Sequence, residues 1–173
     1  MRKLIIVKYI FILFLCITAA CSTPVDNVKV TQKATTNFHY AEPIYDTLES
    51  GSTYLSVYSH IYSNDESKIH NLTATVSIRN TSTNDTLFVS NAAYYNTHGD
   101  LIKNYFDKTV FLKPLETIEI VISEADMTGG SGANFVFDWH IKPHTPLPLF
   151  EAVMISTKGQ QGLSFLTQGK RIQ

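Results

Sequence analysis

The sequence predicts an all-β fold, an antiparallel β-sandwich of immunoglobulin-like kind with about seven to nine short strands, preceded by a signal peptide and a disordered tether. Three observations predict it. Apolar residues recur at every second position in short runs, and no long stretch carries a helical period. Turn residues separate the runs at hairpin spacing. A composition of 44% hydrophobic and 12% aromatic residues supplies one core for a domain of about 130 residues. A small barrel is the other architecture this pattern allows.

Met1, Arg2 and Lys3 lead into the apolar run Tyr9 to Ile17 and then Thr18-Ala19-Ala20-Cys21. A positive start, a short apolar core and small residues before the cut are the parts of an export signal, and the run is short for a bilayer span. Lys8, which interrupts the apolar residues between Leu4 and Ile17, argues against an uncleaved membrane anchor. The small residues before a cysteine resemble the signal of bacterial lipoproteins, which implies a diacylglyceryl group on the thiol of Cys21. The usual leucine three residues before the cysteine is here Thr18, with Ile17 one place earlier, and an ordinary signal peptidase could cut the same bond. The expected organisation is therefore a signal peptide over 1–20, a lipidated N-terminus and flexible tether over 21–39, and one domain over 40–173. Ser22 suits onward sorting to an outer membrane where the cell has one. The tether is rich in Ser, Thr, Asn, Lys and Gln and has little apolar surface to offset ordering entropy.

Cysteine and charge exclude several functions. Of the two cysteines, Cys16 leaves with the signal and Cys21 is the lipid acceptor, so the domain has no disulfide, cysteine-ligated metal or cysteine nucleophile. Removal of Arg2, Lys3 and Lys8 leaves 11 basic residues against 15 acidic ones, scattered singly. Without clustered cations to neutralise phosphates, nucleic-acid binding is not expected.

Within the domain, Leu72, Ala74, Val76 and Ile78 alternate with Thr73, Thr75, Ser77 and Arg79, the pattern of a half-buried strand. The same period covers Leu55, Val57 and Ile61, then Leu87 and Val89, then Ile118, Ile120 and Ile122. Thr81 to Asp85 separates two strands, Asn96 to Asp100 reads as a hairpin loop, and Lys113-Pro114 marks a kink or an edge. Phe135, Phe137, Trp139 and Ile141 share one face of the most aromatic strand, the expected centre of the core. Phe150 to Thr157 and Leu163 to Thr167 form a last hairpin across Lys158 to Gly162.

Several blocks resemble one catalogued family: Val57 to Tyr62, Asn71-Leu72 with Ser77 to Asn80, Tyr94-Tyr95, Lys113 to Leu115, Gly129 to Phe135, and Glu151 to Ile155. Together they are similar to domain-of-unknown-function family 3124 from about Thr53 to Ile172. The resemblance implies an exported bacterial envelope domain and brings no catalytic residues. Where the family has an acidic residue after the tyrosine pair, this chain has Asn96, so no charge-dependent role is carried to that turn.

The local candidate for a ligand site is the loop of Gly129, Gly130, Ser131, Gly132 and Asn134, since glycines let backbone amides converge on an anion or let a ligand approach the main chain. No lysine follows the glycines, so it is no phosphate loop, and an ordinary β connection is the plain alternative. Asp138 and His140, two apart on the outer face of one strand, are neighbours able to share a proton or cation. His60, between Tyr58 and Tyr62, is the third candidate surface residue, part of an aromatic platform or simply solvated. The histidines lack zinc-type spacing and Gly130-Ser131-Gly132 only mimics a nucleophile elbow, so no metal, cofactor or catalysis is expected. Two functions stay open: a noncatalytic envelope module binding a protein partner through a sheet edge or surface aromatics, and a small-ligand or glycan receptor built on the glycine loop.

Overall fold

The computed structural model describes residues 38–43, 45–157 and 162–173. The expected signal peptide, Cys21 and the tether up to residue 37 lie outside the described residues. In chain order the strands are β1 (His39–Tyr40), β2 (Glu49–Ser56), β3 (His60–Tyr62), β4 (Ile69–Asn71), β5 (Thr73–Arg79), β6 (Leu87–Tyr95), β7 (Leu101–Asn104), β8 (Val110–Leu112), β9 (Thr117–Ile122), β10 (Asn134–Ile141), β11 (Leu149–Ser156), β12 (Leu163–Gln168) and β13 (Lys170–Arg171). Eight of the thirteen are four residues or longer, and the surplus over the expected number consists of two- and three-residue pieces.

All the pairings are antiparallel, so the domain is all-β. One seven-stranded sheet runs β1-β8-β6-β10-β2-β13, with β7 on the same edge of β6 as β8. A four-stranded sheet runs β12-β11-β5-β9, and β3 and β4 form a separate hairpin. Successive long strands alternate between the two larger sheets: β2, β6 and β10 lie in the first, β5, β9 and β11 in the second. Each such connection must cross from sheet to sheet, which gathers the loops at the strand ends.

Strand β10 is the spine. Phe135, Phe137, Trp139 and Ile141 are buried, while Asn134, Val136, Asp138 and His140 alternate on the other face. A line of stacked rings, Tyr94 to Phe135 at 4.8 Å, Phe135 to Phe137 at 5.3 Å and Phe137 to Phe150 at 4.6 Å, joins β6, β10 and β11 across both sheets. The buried Trp139 satisfies its indole N–H by donating to Thr53 Oγ1 at 2.9 Å. Gly51 lies opposite Trp139 because a Cβ there would overlap the indole ring.

Three expectations change. The tether was expected to run to residue 39, but His39 and Tyr40 pair with Phe111 and Val110 and Phe38 packs edge-on to Phe106 at 5.1 Å. These rings supply the apolar contact that orders residues 38–40. The run from Leu55 to Ile61 is broken, because Val57 N–H donates to Ala133 and Ser59 N–H to Gly130, turning the chain onto the glycine loop before β3 begins. The Lys113-Pro114 kink is the turn between β8 and β9, with Leu115 at φ 60°. Asn80 stitches it, donating through Nδ2 to the carbonyls of Leu112, Lys113 and Asp85.

Candidate functional site

The glycine loop forms a short 3-10 turn, Gly130–Gly132, entering β10. Gly129 is buried with ordinary right-handed dihedrals, and a Cβ on it would overlap the Tyr94 hydroxyl and Ser59 Oγ. Gly130 has φ +78°, a conformation that favours glycine. Thr97, from the 96–100 hairpin loop, ties the turn together: its hydroxyl donates to Gly129 O at 3.1 Å and accepts from Gly132 N–H at 2.9 Å. Gly130 N–H is bonded to Met127 O. Two of the amides expected to converge on a ligand are therefore engaged within the protein. Asn96 shapes the hairpin loop, its Oδ1 accepting from His98 N–H at 2.8 Å and Asp100 N–H at 2.9 Å, an acceptor role that needs no charge.

Beneath the turn, Ser59 Oγ and the fully buried Tyr94 hydroxyl are 3.1 Å apart. Burial pushes the Tyr94 hydroxyl pKa up, the Ser59 bond lowers it in part, and Asp126 adds to the rise. Burial likewise raises Tyr105, with Tyr94 and Asp126 contributing. Both phenols stay neutral at physiological pH, and the turn seats on a neutral floor. The tyrosines of the Tyr58–Tyr62 and Tyr94-Tyr95 blocks do not gather into one exposed platform. Tyr94 is core, Tyr58 packs edge-on to Phe165 at 5.7 Å, Tyr95 is half-buried and Tyr62 stands exposed.

Asp138 and His140 do share the outer face of β10, yet they bond to other residues and not to each other. Asp138 Oδ1 accepts from Ser52 Oγ at 2.5 Å and Oδ2 from Asn91 Nδ2 at 3.0 Å. His140 lies between two hydroxyls, Ser50 at Nδ1 (2.7 Å) and Ser90 at Nε2 (2.9 Å), with Tyr45 edge-on at 4.6 Å. Ser90 reaches the imidazole because the β6–β10 register slips between Asp138 and Trp139, whose partners are Asn91 and Val89. Burial pulls the His140 pKa down, and the neighbouring Asp138 partly opposes that.

His60 is in β3 at the glycine-turn end, edge-on to Tyr62 at 6.0 Å, with a buried Nδ1 that has no hydrogen-bond partner. The three candidate surface residues thus fall into two places. Asn134 opens β10 and His140 is six residues along it, about 20 Å away in an extended strand, so the loop does not converge with His140. Among the described residues, no group of three or more His, Cys, Asp and Glu side chains is placed to hold a metal ion. Ser131 has no hydrogen-bonded base among them.

Sequence reasoning missed the outer face of the four-stranded sheet. Leu166, Val153, Thr75 and Val121 are register partners across all four strands and form one row. Leu166 is 62% exposed, Val121 54% and Val153 43%, with Ile155 beside them at 42%. At one strand spacing per step the row is about 14 Å long. The next row, Gln168, Glu151, Ser77 and Glu119, is polar. The signal in the sequence was the pair Val153 and Ile155, apolar on both faces of one strand.

These features define an all-β domain with two antiparallel sheets on one core and a glycine turn seated at one end. The family model described as "Protein of unknown function (DUF3124)" matches residues 50–172, and the chain belongs to that family. No curated protein matches. The crystal structure of Thermotoga maritima 1070 is similar at 7% identity and a TM-score of 0.41, covering 69% of this chain and 92% of that one, a likeness too slight to bear on function.

Proposed function

We propose that the protein is a noncatalytic module of the bacterial cell envelope, held at a membrane surface by lipid on Cys21 and binding a protein partner through the outer face of its four-stranded sheet. The fold assignment within this reading is a sandwich of immunoglobulin-like layering with its own strand order. The observation that carries the partner reading is the row of Leu166, Val153 and Val121 with Ile155 beside it, apolar, exposed and bordered by polar groups. Interfaces have this anatomy, an apolar centre inside a polar rim. β9 and β12 bound the sheet as edge strands, each paired on one side only, and offer strand addition next to the row. In this reading the Gly129 to Asn134 loop is scaffold, since Gly130 and Gly132 already spend their amides internally.

The anchor and the partner are tested separately. Cys21→Ser should abolish incorporation of labelled palmitate and move the protein from the membrane to the soluble envelope fraction. Retention in the membrane with no label would sink the lipid reading. Crosslinking in intact cells should yield one stoichiometric adduct that disappears in Val153→Glu/Leu166→Glu, while Tyr62→Ala keeps it. An adduct unchanged by the double variant would move the interface elsewhere.

A further inference from the structure

A polar cleft opens at one end of the four-stranded sheet. The inward stripe of β11 reads Phe150, Ala152, Met154 and Ser156, all buried, and that of β9 reads Ile118, Ile120 and Ile122, followed two residues later by Glu124. Both stripes turn from apolar to polar at this end. There a cleft of about 390 Å³ is lined by Asn71, Glu124, Ala125, Ser156 and Thr157. Its size falls at the lower end of small-molecule sites, about 300–1,000 Å³.

The polar groups of the cleft are unspent. Ser156 is only 5% exposed, yet its hydroxyl has no hydrogen-bond partner among the described residues, and it lines the cleft. The side chains of Asn71, Glu124 and Thr157 have none there either. Several such groups elsewhere are used within the protein: Asn80 holds three carbonyls, Asn91 holds Asp138, and Ser59 meets Tyr94, while the buried Thr145 hydroxyl has no partner. The hydroxyl of this largely buried serine, Ser156, is open to the cleft, where a ligand hydroxyl can take the place of water. On the same hairpin, His60 is the register partner of Asn71, and its buried Nδ1 is also without a hydrogen-bond partner.

The lining chooses the ligand class. One amide, two hydroxyls and one carboxylate supply both donors and acceptors. Among the described residues no Lys, Arg or aromatic ring lines the cleft, and the Glu124 carboxylate there disfavours anions. We infer that this cleft binds a compact hydroxyl-rich ligand of monosaccharide size, neutral or carrying an amine, through Asn71, Ser156, Thr157 and Glu124. This inference does not depend on the partner face or on the lipid.

The test is equilibrium binding of labelled glucose and glucosamine to the purified full-length chain, with glucose 6-phosphate as the anionic probe. Saturable one-to-one binding of either neutral or amino sugar is expected, with glucose 6-phosphate weaker. Asn71→Ala and Ser156→Val should each weaken binding about tenfold, the loss of roughly one hydrogen bond. Ser156→Ala should leave the melting temperature unchanged, because its hydroxyl holds nothing in the free protein. The Val153→Glu/Leu166→Glu variant should bind both sugars as wild type does. No saturable binding below about 10 mM, equal affinity in the variants, or preference for the phosphate ester would each overturn the inference.

Discussion

Gly129→Ala isolates how the glycine turn is held. The residue has φ −68° and ψ −36°, which alanine adopts freely, so the substitution adds no backbone strain. The cost is steric: the new methyl would overlap the Tyr94 hydroxyl, Ser59 Oγ and the Ala133 side chain. Overpacking a close-packed site costs about 1–3 kcal/mol. Separating Ser59 from the buried Tyr94 hydroxyl, 3.1 Å apart in the native protein, adds about 0.5–1.5 kcal/mol. The total is about 1.5–4.5 kcal/mol. Urea unfolding followed by the fluorescence of Trp139, the single tryptophan, measures it. Tyr94→Phe removes one of the overlapping atoms, so Gly129→Ala should cost at least about 1 kcal/mol less in that background, a coupling visible in a double-mutant cycle. A loss below about 0.5 kcal/mol, or additive losses in the cycle, would show that the turn does not rest on the Ser59–Tyr94 pair.

Two further predictions concern polar groups that the fold has committed. His140 has a folded pKa depressed below its ordinary value by burial, so the unfolded chain binds its proton first as pH falls. Stability should therefore decline as pH drops through the ordinary histidine range toward the lower folded pKa, and His140→Gln should flatten that decline in urea unfolding between about pH 7.5 and 5.5. A wild-type slope unchanged by the substitution would assign the proton elsewhere. Asn80 is 4% exposed, donates to three carbonyls and accepts from Ser82 N–H at 3.0 Å, so Asn80→Ala should cost about 2–3 kcal/mol. Its melting temperature checks this, and a shift no larger than that of a surface Asn84→Ala control would refute the role.

Period-two alternation made the long strands legible, because it depends only on neighbours along the chain. The buried face of β10, the 96–100 hairpin loop and the pairing of β11 with β12 all followed from it. Strand order did not, since β10 pairs with β2 and β6, which lie some 40 to 90 residues earlier. That distance is also why the surroundings of Asp138 and His140 were unreadable. The two side chains sit on one face as expected, but Ser50, Ser52, Ser90 and Asn91 reach them only through pairing and one register slip. Of the successive Tyr94 and Tyr95, alternation permits only one to face outward, and Tyr94 is the buried one. β1 and the β3–β4 hairpin are two to three residues per strand, too short to show a period.

The two outer faces of the domain carry different consequences from the same alternation. On the seven-stranded sheet, the outward row of Ser52, Asp138 and Asn91 closes on itself through hydrogen bonds, and the row of Ser50 and His140 does likewise with Ser90. A partner docking there must break bonds already made. On the four-stranded sheet, Leu166, Val153 and Val121 have nothing comparable to lose, and covering them removes apolar surface from water. The adjoining row holds Glu119 and Glu151, the latter 3.3 Å from Arg79, so among the described residues the Glu119 carboxylate is without a cation. Association should then favour a partner with an apolar centre and a basic rim opposite Glu119. Glu119→Lys would report on that directly: if the partner face is correctly placed, crosslinking in cells should slow at low salt and recover as salt screens the reversed charge. Salt-independent crosslinking in this variant would remove the basic rim from the reading while leaving the apolar row in place.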